Sequence, residues 1–434
     1  MTNPVTLNKI TRLAQPPRII HRTGHNISRS DISESALKVL YRLKNAGYKS
    51  YLVGGAVRDL LLGLRPKDFD VVTDARPEQI RELFRNCRLI GRRFRLAHVR
   101  FGDEVIEVST FRAAHQVTDS GGHSSEGRII HDNVYGDIDD DVWRRDFTVN
   151  ALFYNIEDFS IIDYVGGLAD IESHQLRLIG DPSSRYREDP VRMLRAVRFA
   201  VKLGFDIHPS TVHPITNHER LLAEIPSARL FEEFMKLFMN GKAFLTLQQL
   251  RKFDLFRHMF PETNEFLLEE NNDAVENLLY KVFSNTDIRI SEGKPVTPAF
   301  LIAALLWYPM IRRAEEFMGN GLPEQDALQL ASDAVISRQV SSIAIPRRYT
   351  LMAREIWSLQ YRLKHRKGNR PYRLVSHPRF RAAYDFMAMR LEAGENLNEI
   401  VDWWTDFTES HKGMLSDHEH RGKPGKKRYY RRKR

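Results

Sequence analysis

A glycine turn followed by two aspartates one residue apart constrains this chain more than any other stretch. Residues 52–59 read Leu-Val-Gly-Gly-Ala-Val-Arg-Asp, and after a short apolar segment the chain continues Lys67-Asp68-Phe69-Asp70-Val71-Val72. The β-branched, aromatic-flanked run around Asp68 and Asp70 reads as a strand, on which residues i and i+2 share one side, roughly 6–7 Å apart. Two carboxylates on one apolar-flanked face repel each other unless a cation sits between them. Mg²⁺ suits that position, because it takes one or two carboxylates together with substrate phosphates. Gly54 and Gly55 let backbone N–H groups approach a triphosphate at the start of the helix that begins near Ala56. Arg58 can reach the same phosphates.

The rest of the chain narrows the class. Its 434 residues suffice for about two to four domains. The longest apolar run, Ala299 to Trp307, is too short to span a bilayer. The first thirty residues carry no apolar h-region, so a secretory signal is not expected. A single cysteine, Cys87, excludes an intramolecular disulfide and a multi-cysteine zinc site, which fits a reducing, cytoplasmic setting. The formal net charge is +10, and the segment Arg421–Arg434 accounts for nearly all of it with nine Lys/Arg and no acid. Such a tail is expected to be disordered and to seek polyanions. Tyr429 and Tyr430 in its middle favour RNA, whose bases can stack on them.

Apolar spacing predicts a helix over 33–46 with Gly47 closing it, strands at 50–53, 69–72, 87–90, 95–101 and 104–110, and a helix at 77–84. Residues 1–30 read as a flexible leader and 114–142 as a mobile loop. The acids Asp137, Asp139, Asp140 and Asp141 in that loop read as solvated charge, and Gly121, Gly122 and His123 as spacer. From Tyr186 onward, strand signals nearly vanish. Helices are predicted at 189–203, 219–224, 228–240, 245–252, 272–284, 298–316, 324–337 and 348–363. The fold class is therefore α+β: a small mixed sheet with helices, followed by an all-α half.

Four further groups carry chemistry. Glu107 stands alone in the apolar strand Val105-Ile106-Glu107-Val108, and a buried unpaired glutamate is costly. If its strand neighbours that of Asp70, Glu107 completes a three-carboxylate site. In Arg144-Arg145-Asp146-Phe147-Thr148-Val149-Asn150-Ala151, the residues Phe147 and Leu152 point to a core, while Arg145, Asp146 and Asn150 need partners. An internal Arg–Asp salt bridge is the plain alternative to phosphate and ribose binding. In Glu188-Asp189-Pro190-Val191-Arg192, Asp189 and Pro190 suit a helix start, and Arg192, Arg195 and Arg198 follow at intervals of three along one face. Asp189 could accept from an exocyclic amino group while Arg192 donates to a ring acceptor, as a pair of base readers. The stretch Gly91-Arg92-Arg93-Phe94-Arg95-Leu96-Ala97-His98-Val99 reads as a basic hairpin with a hydrogen-bonded sheet histidine. Arg362 to Arg381, with eight Lys/Arg and no acids, is a candidate RNA-backbone surface through Arg362, Lys364, Arg366 and Lys367. Lys426, Lys427, Arg428, Arg431 and Arg432 extend it in the tail.

These motifs, in this order and spacing, resemble the class II nucleotidyltransferases, the family of bacterial poly(A) polymerases and CCA-adding enzymes. The likeness covers residues 33 to about 240, and Gly91–Val99 looks like the element that marks the poly(A) polymerase branch. The resemblance implies a catalytic head over 31–182, a helical neck that binds base and RNA over 183–240, an all-α body over 241–415 and a basic tail over 416–434. It implies that Asp68, Asp70 and Glu107 hold two Mg²⁺ ions (Mn²⁺ being the alternative) and that Gly54, Gly55 and Arg58 cradle the triphosphate of ATP. Arg145, Asp146 and Asn150 would hold phosphate and ribose, and Asp189 and Arg192, with Arg195, the base. The implied reaction is template-independent addition of AMP to RNA 3′ ends in mRNA processing and RNA decay, with pyrophosphate released. Partners implied are mRNA fragments, small RNAs and RNA-decay proteins, with no DNA and a monomeric chain. CCA addition to tRNA shares every catalytic residue, and an inactive RNA-binding adaptor is the alternative outside the enzyme class.

Overall fold

The computed structural model describes residues 16–91, 95–113, 134–270 and 273–411. Arg92, Arg93, Phe94, Gly121, Gly122, His123, residues 1–15 of the expected leader and the tail from Lys412 onward, with Lys426, Lys427, Arg428, Tyr429, Tyr430, Arg431 and Arg432, lie outside them. The chain forms two compact units, Met1–Leu221 and Leu222–Arg434. The dividing point falls inside the segment 183–240 expected as a neck.

The first unit is a mixed eight-stranded sheet with helices. Its strands are β1 (Arg18–Ile20), β2 (Ser50–Val53), β3 (Asp70–Thr73), β4 (Cys87–Ile90), β5 (Leu96–Phe101), β6 (Glu104–Thr110), β7 (Leu152–Asn155) and β8 (Ile161–Asp163). The spatial order is β1-β8-β7-β2-β3-β6-β5-β4. The β3–β6 pair is parallel and the other named pairs of this sheet are antiparallel. Helix α1 (Glu34–Asn45) begins where the Ser33 hydroxyl accepts from the Ala36 amide. It buries Ala36, Val39, Leu40 and Leu43; helices α2 (Gly55–Leu61) and α3 (Pro77–Leu83) follow β2 and β3. Gly47, at φ +86°, ends it, with the Tyr48 amide reaching back to the Leu43 carbonyl.

Three expectations need correction. Residues 18–20 are not a flexible leader but the sheet's edge strand, in register with Ile161–Asp163. The segment 138–144, assigned to a loop, is helix α4 (Ile138–Arg144), because the Asp137 side chain caps it by accepting from the Asp140 amide. Strands β7 and β8 carried no recognised signal, since β7 is nearly continuously buried rather than alternating and β8 is only three residues long.

Helix α5 (Gly167–Glu172) follows β8, and the Asp163 carboxylate accepts from the amides of Val165, Gly166, Gly167 and Leu168. At Gly167 the backbones touch: a Cβ there would lie 2.3 Å from the Thr148 carbonyl oxygen. Gly167→Ala is therefore expected to push away the short 3₁₀ turn Thr148–Asn150 and lower stability by about 2–3 kcal/mol. Thermal denaturation checks this.

The second unit is all-helical in its described residues. Its principal helices include Pro298–Leu305, Trp307–Gly319, Glu324–Ser342, Arg347–Leu363, Phe380–Glu392 and Asn398–Ser410. The single helix predicted over 298–316 breaks at Leu306. Pro309 has no N–H to give the Leu305 carbonyl, which accepts instead from the Thr263 hydroxyl at 2.6 Å. A core of Leu359, Leu363, Leu374, Phe380 and Trp404 holds the last helices together.

Candidate active site

Strand β2 ends at Val53 and turns through Gly54 into helix α2 (Gly55–Leu61). Gly54 has φ +74°, a conformation that favours glycine. A Cβ at Gly54 would lie 3.7 Å from Arg145 Nη1 and 3.9 Å from both the Asn150 carbonyl oxygen and Asp70 Oδ2. The glycine turn thus marks the point where the separate motifs converge.

Register explains the convergence. Val53 pairs with Asp70 across β2–β3, and Asp70 pairs with Glu107 across β3–β6. Beneath them Val53, Val72, Phe111, Val142, Ala151 and Phe153 form an apolar floor. Strand β3 begins at Asp70, so Asp68 precedes the pleat and is exposed, contrary to the expectation that both aspartates share the strand. Burial pushes the Asp70 carboxyl up to about 6; the negative charges of Glu107 and Asp68 add to this, and Arg145 opposes it. Among the described residues no three His, Cys, Asp or Glu side chains form a cage ready to hold a metal. Asp68, Asp70 and Glu107 are therefore not preassembled as a three-carboxylate cage, as expected for like charges at an exposed strand entry.

The residues singled out for nucleotide binding, Gly54, Gly55, Arg58, Arg145, Asp146, Asn150, Asp189, Arg192 and Arg195, all line one cleft of about 520 Å³ together with Asp68 and Asp70. Glu107 is not on that lining. Lys67, Arg144, Phe199 and Lys202 are, and sequence reasoning missed them as site residues. Helix α6 (Pro182–Glu188) and helix α7 (Val191–Leu203) form one wall. Along α7 the cleft-lining positions run 192, 195, 199, 202, the 3.6-residue face of a helix, whereas the reading at intervals of three chose Arg198 in place of Phe199. Pro190 is the N-cap of α7, and Asp189, which ends α6, accepts from the Val191 amide at 3.3 Å.

Several of these side chains are engaged within the protein. Arg58 is 2% exposed and is clamped by Asp59 and the Asn150 side-chain oxygen, so it is a fixed wall rather than a free phosphate arm. Arg145 donates to Asp141 Oδ2 at 2.8 and 3.1 Å. Asp141 is thus a buried partner, not solvated loop charge; its i,i+4 spacing to Arg145 was the available signal. Asp146 is bound by both Arg195 Nε and Nη2 and accepts from the Phe147 amide. Burial pushes the Asp146 carboxyl upward, but the Arg195 charge and these hydrogen bonds outweigh it and hold it below the usual carboxylate range. The internal Arg–Asp bridge exists, but it crosses to α7. Arg192 is 12% exposed and donates to Glu188 and to the Arg185 carbonyl. Arg185 in turn donates to the carbonyls of Arg144 and Arg145, tying this wall to α4. Burial and the nearby Arg112, Arg185 and Arg192 charges lower the Arg144 guanidinium to about 10. Such crowding of positive charge suits an anionic ligand.

In the second unit Arg362 and Lys367 are exposed. Lys364 pairs with Glu324 at 2.7 Å and Arg366 with Glu399 at 2.6 Å. A run without acids in sequence therefore receives them from neighbouring helices. No helix among the described residues is long and apolar enough to cross a membrane.

Three family models match parts of the chain. Residues 50–177 match the Poly A polymerase head domain, 204–267 a family described as "Probable RNA and SrmB- binding site of polymerase A", and 320–434 the polymerase A arginine-rich C-terminus. The chain is 49% identical over 427 residues to Poly(A) polymerase I of Salmonella typhimurium, covering 96% of this chain and 92% of that one. It is 39% identical to the CCA-adding enzyme of Lactobacillus helveticus, but over 48% of this chain and 50% of the relative. A solved tRNA nucleotidyltransferase complexed with a primer tRNA and an incoming ATP analogue is 25% identical, with a TM-score of 0.59 over 86% of this chain and 99% of that one.

Proposed function

The chain belongs to the bacterial poly(A) polymerase family and is a polynucleotide adenylyltransferase, and from that premise we propose how its cleft carries out the reaction. The observation that carries the proposal is the delivery of Asp70, Arg145, Asp146, Asp189 and Arg192 from separate stretches of sequence into one cleft. The 3′-hydroxyl oxygen of RNA attacks the α-phosphate of ATP in line, its proton is lost, and pyrophosphate leaves.

The donor set fits hard divalent cations: carboxylate oxygens only, with Asp70 carrying a charge that burial and Glu107 disfavour. Asp68, Asp70 and Glu107 would hold Mg²⁺, or Mn²⁺ in its place. Two such ions would lower the pKa of the RNA 3′-hydroxyl and neutralise charge on the triphosphate. Gly54 and Gly55 leave room for the phosphates beside Asp70. Arg145, held from behind by Asp141, and Arg144 face them with positive charge. Asp146 and Asn150 orient the ribose, with Arg195 fixing Asp146 and Arg58 fixing Asn150. Asp189 and Arg192 present an acceptor and a donor to the adenine edge.

RNA affinity is assigned to the all-α body and tail. Arg362, Lys364, Arg366 and Lys367 can exchange their weak surface ion pairs for phosphates, and Lys426, Lys427, Arg428, Arg431 and Arg432 add charge. The division into head (31–182), neck (183–240), body (241–415) and tail (416–434) follows this assignment. Residues 204–267 are the proposed region for RNA-decay partners, in a monomer acting in the cytoplasm.

Incubation with Mg²⁺, a generic single-stranded RNA and each nucleoside triphosphate separately tests the reading. Long tails from ATP alone are expected. Two C residues and one A, confined to tRNA lacking its end, would replace the reading with CCA addition, and no incorporation would favour an inactive adaptor.

A further inference from the structure

The row of residues that carries Asp70 and Glu107 continues one strand further, to His98. Glu107 is the register partner of Asp70 in β3–β6 and of His98 in β5–β6. His98 Nε2 stands 3.2 Å from Glu107 Oε1. That nitrogen is buried, and its approach to Glu107 lies off the hydrogen-bond direction, so it has no hydrogen-bond partner among the described residues. Glu107, by contrast, keeps half of its side chain exposed and has three torsions that can turn it into water. Its other neighbour along the row, Asp70, carries like charge and favours that turning away. A carboxylate so placed needs an outer partner to stay directed at a cation.

We propose that His98 is a positioning residue, which holds Glu107 Oε1 along the strand row and so keeps this carboxylate where, with Asp70, it would hold a divalent cation. The proposal rests on the reading of Glu107 as a metal-holding carboxylate. It also gives Gly91–Val99, whose described residues are not on the cleft lining, a physical role at its histidine. His98 acts through Glu107 and does not touch the substrate.

Titration of the nucleotide-free protein with Mn²⁺, with free ion read by electron paramagnetic resonance, separates this from a merely structural contact. His98→Ala is expected to weaken Mn²⁺ binding about tenfold and to lower kcat by a similar factor, with KM for ATP within about twofold of the parent. His98→Gln, whose amide N–H can still donate to the carboxylate, should restore most of both. In a Glu107→Gln background, His98→Ala should add nothing. Parent-like Mn²⁺ affinity in His98→Ala, alongside a loss in Glu107→Gln, overturns the proposal while leaving the metal reading intact. A glutamine variant no better than the alanine one also overturns it. Unchanged Mn²⁺ affinity in Glu107→Gln removes Glu107 from the metal site, and the role of His98 falls with it.

Discussion

Asp70→Asn is expected to abolish adenylate transfer and, at the same time, to raise the melting temperature of the metal-free protein. Both effects have one origin. Asp70 opens β3, wedged between Val53 and Glu107 over an apolar floor. Burial first, then Glu107 and Asp68, raise its carboxyl to about 6 against the pull of Arg145. An acid whose folded-state pKa is raised binds more protons folded than unfolded. Metal-free stability should therefore fall as pH rises from about 4 to about 6 and level off above that. The shift corresponds to about 3 kcal/mol at most. Asparagine keeps the shape, removes the charge and abolishes that slope, so melting at pH 7.5 should rise by a few degrees. Activity should drop by about 10³-fold or more, because a metal-binding carboxylate underlies several kcal/mol of transition-state stabilisation. RNA binding should persist. Calorimetry across pH 4–8 and an ATP incorporation assay read the two effects. An unchanged pH slope would refute the electrostatic account, and retained activity would refute the metal assignment.

Arg195→Ala should be the most destabilising change in the cleft. Asp146 is 12% exposed, and Arg195 supplies two donors to one of its oxygens. Removal of the arginine leaves a buried carboxylate without its cation, at a cost of about 3 kcal/mol. Its loss should also reduce kcat/KM for ATP by about 100-fold or more, because the carboxylate proposed to orient the ribose loses its fixed orientation. The double variant Asp146→Asn/Arg195→Ala should recover much of the stability, since no unpaired charge remains, and none of the activity. Urea denaturation together with ATP kinetics distinguishes these. A double variant as unstable as Arg195→Ala alone would show that Arg195 acts through packing against Phe199 rather than through Asp146.

Much of the first unit was legible because its periodicities are local. The alternation of β5 and β6, the Ser33 cap and Gly47 need nothing beyond neighbouring residues. Helix α4 was not legible: its run of aspartates resembles solvated loop, and only the Asp137 cap and the Asp141–Arg145 pair reveal order. Strand β1 escaped because a three-residue edge strand takes its stability from the strand it joins. The basic run from Arg362 to Arg381 was read correctly for charge but not for neutralisation, because Glu324, Glu399 and Glu355 arrive from other helices.

The sequence by itself determined the reaction class. Gly54-Gly55, Asp68-Phe69-Asp70, Arg144–Ala151 and Glu188–Arg192 each name a chemical need that a phosphate, a cation, a base or a partner elsewhere in the chain can answer. What only the tertiary structure decided is which side chains remain available to answer. It clamped Arg58 on Asn150, spent Arg195 on Asp146, set Phe199 and Lys202 in the cleft in place of Arg198, and aligned His98, Glu107 and Asp70 in one row. The reason is that a side chain's role depends on its nearest partner in space, and strand register and helix period, not chain spacing, choose that partner.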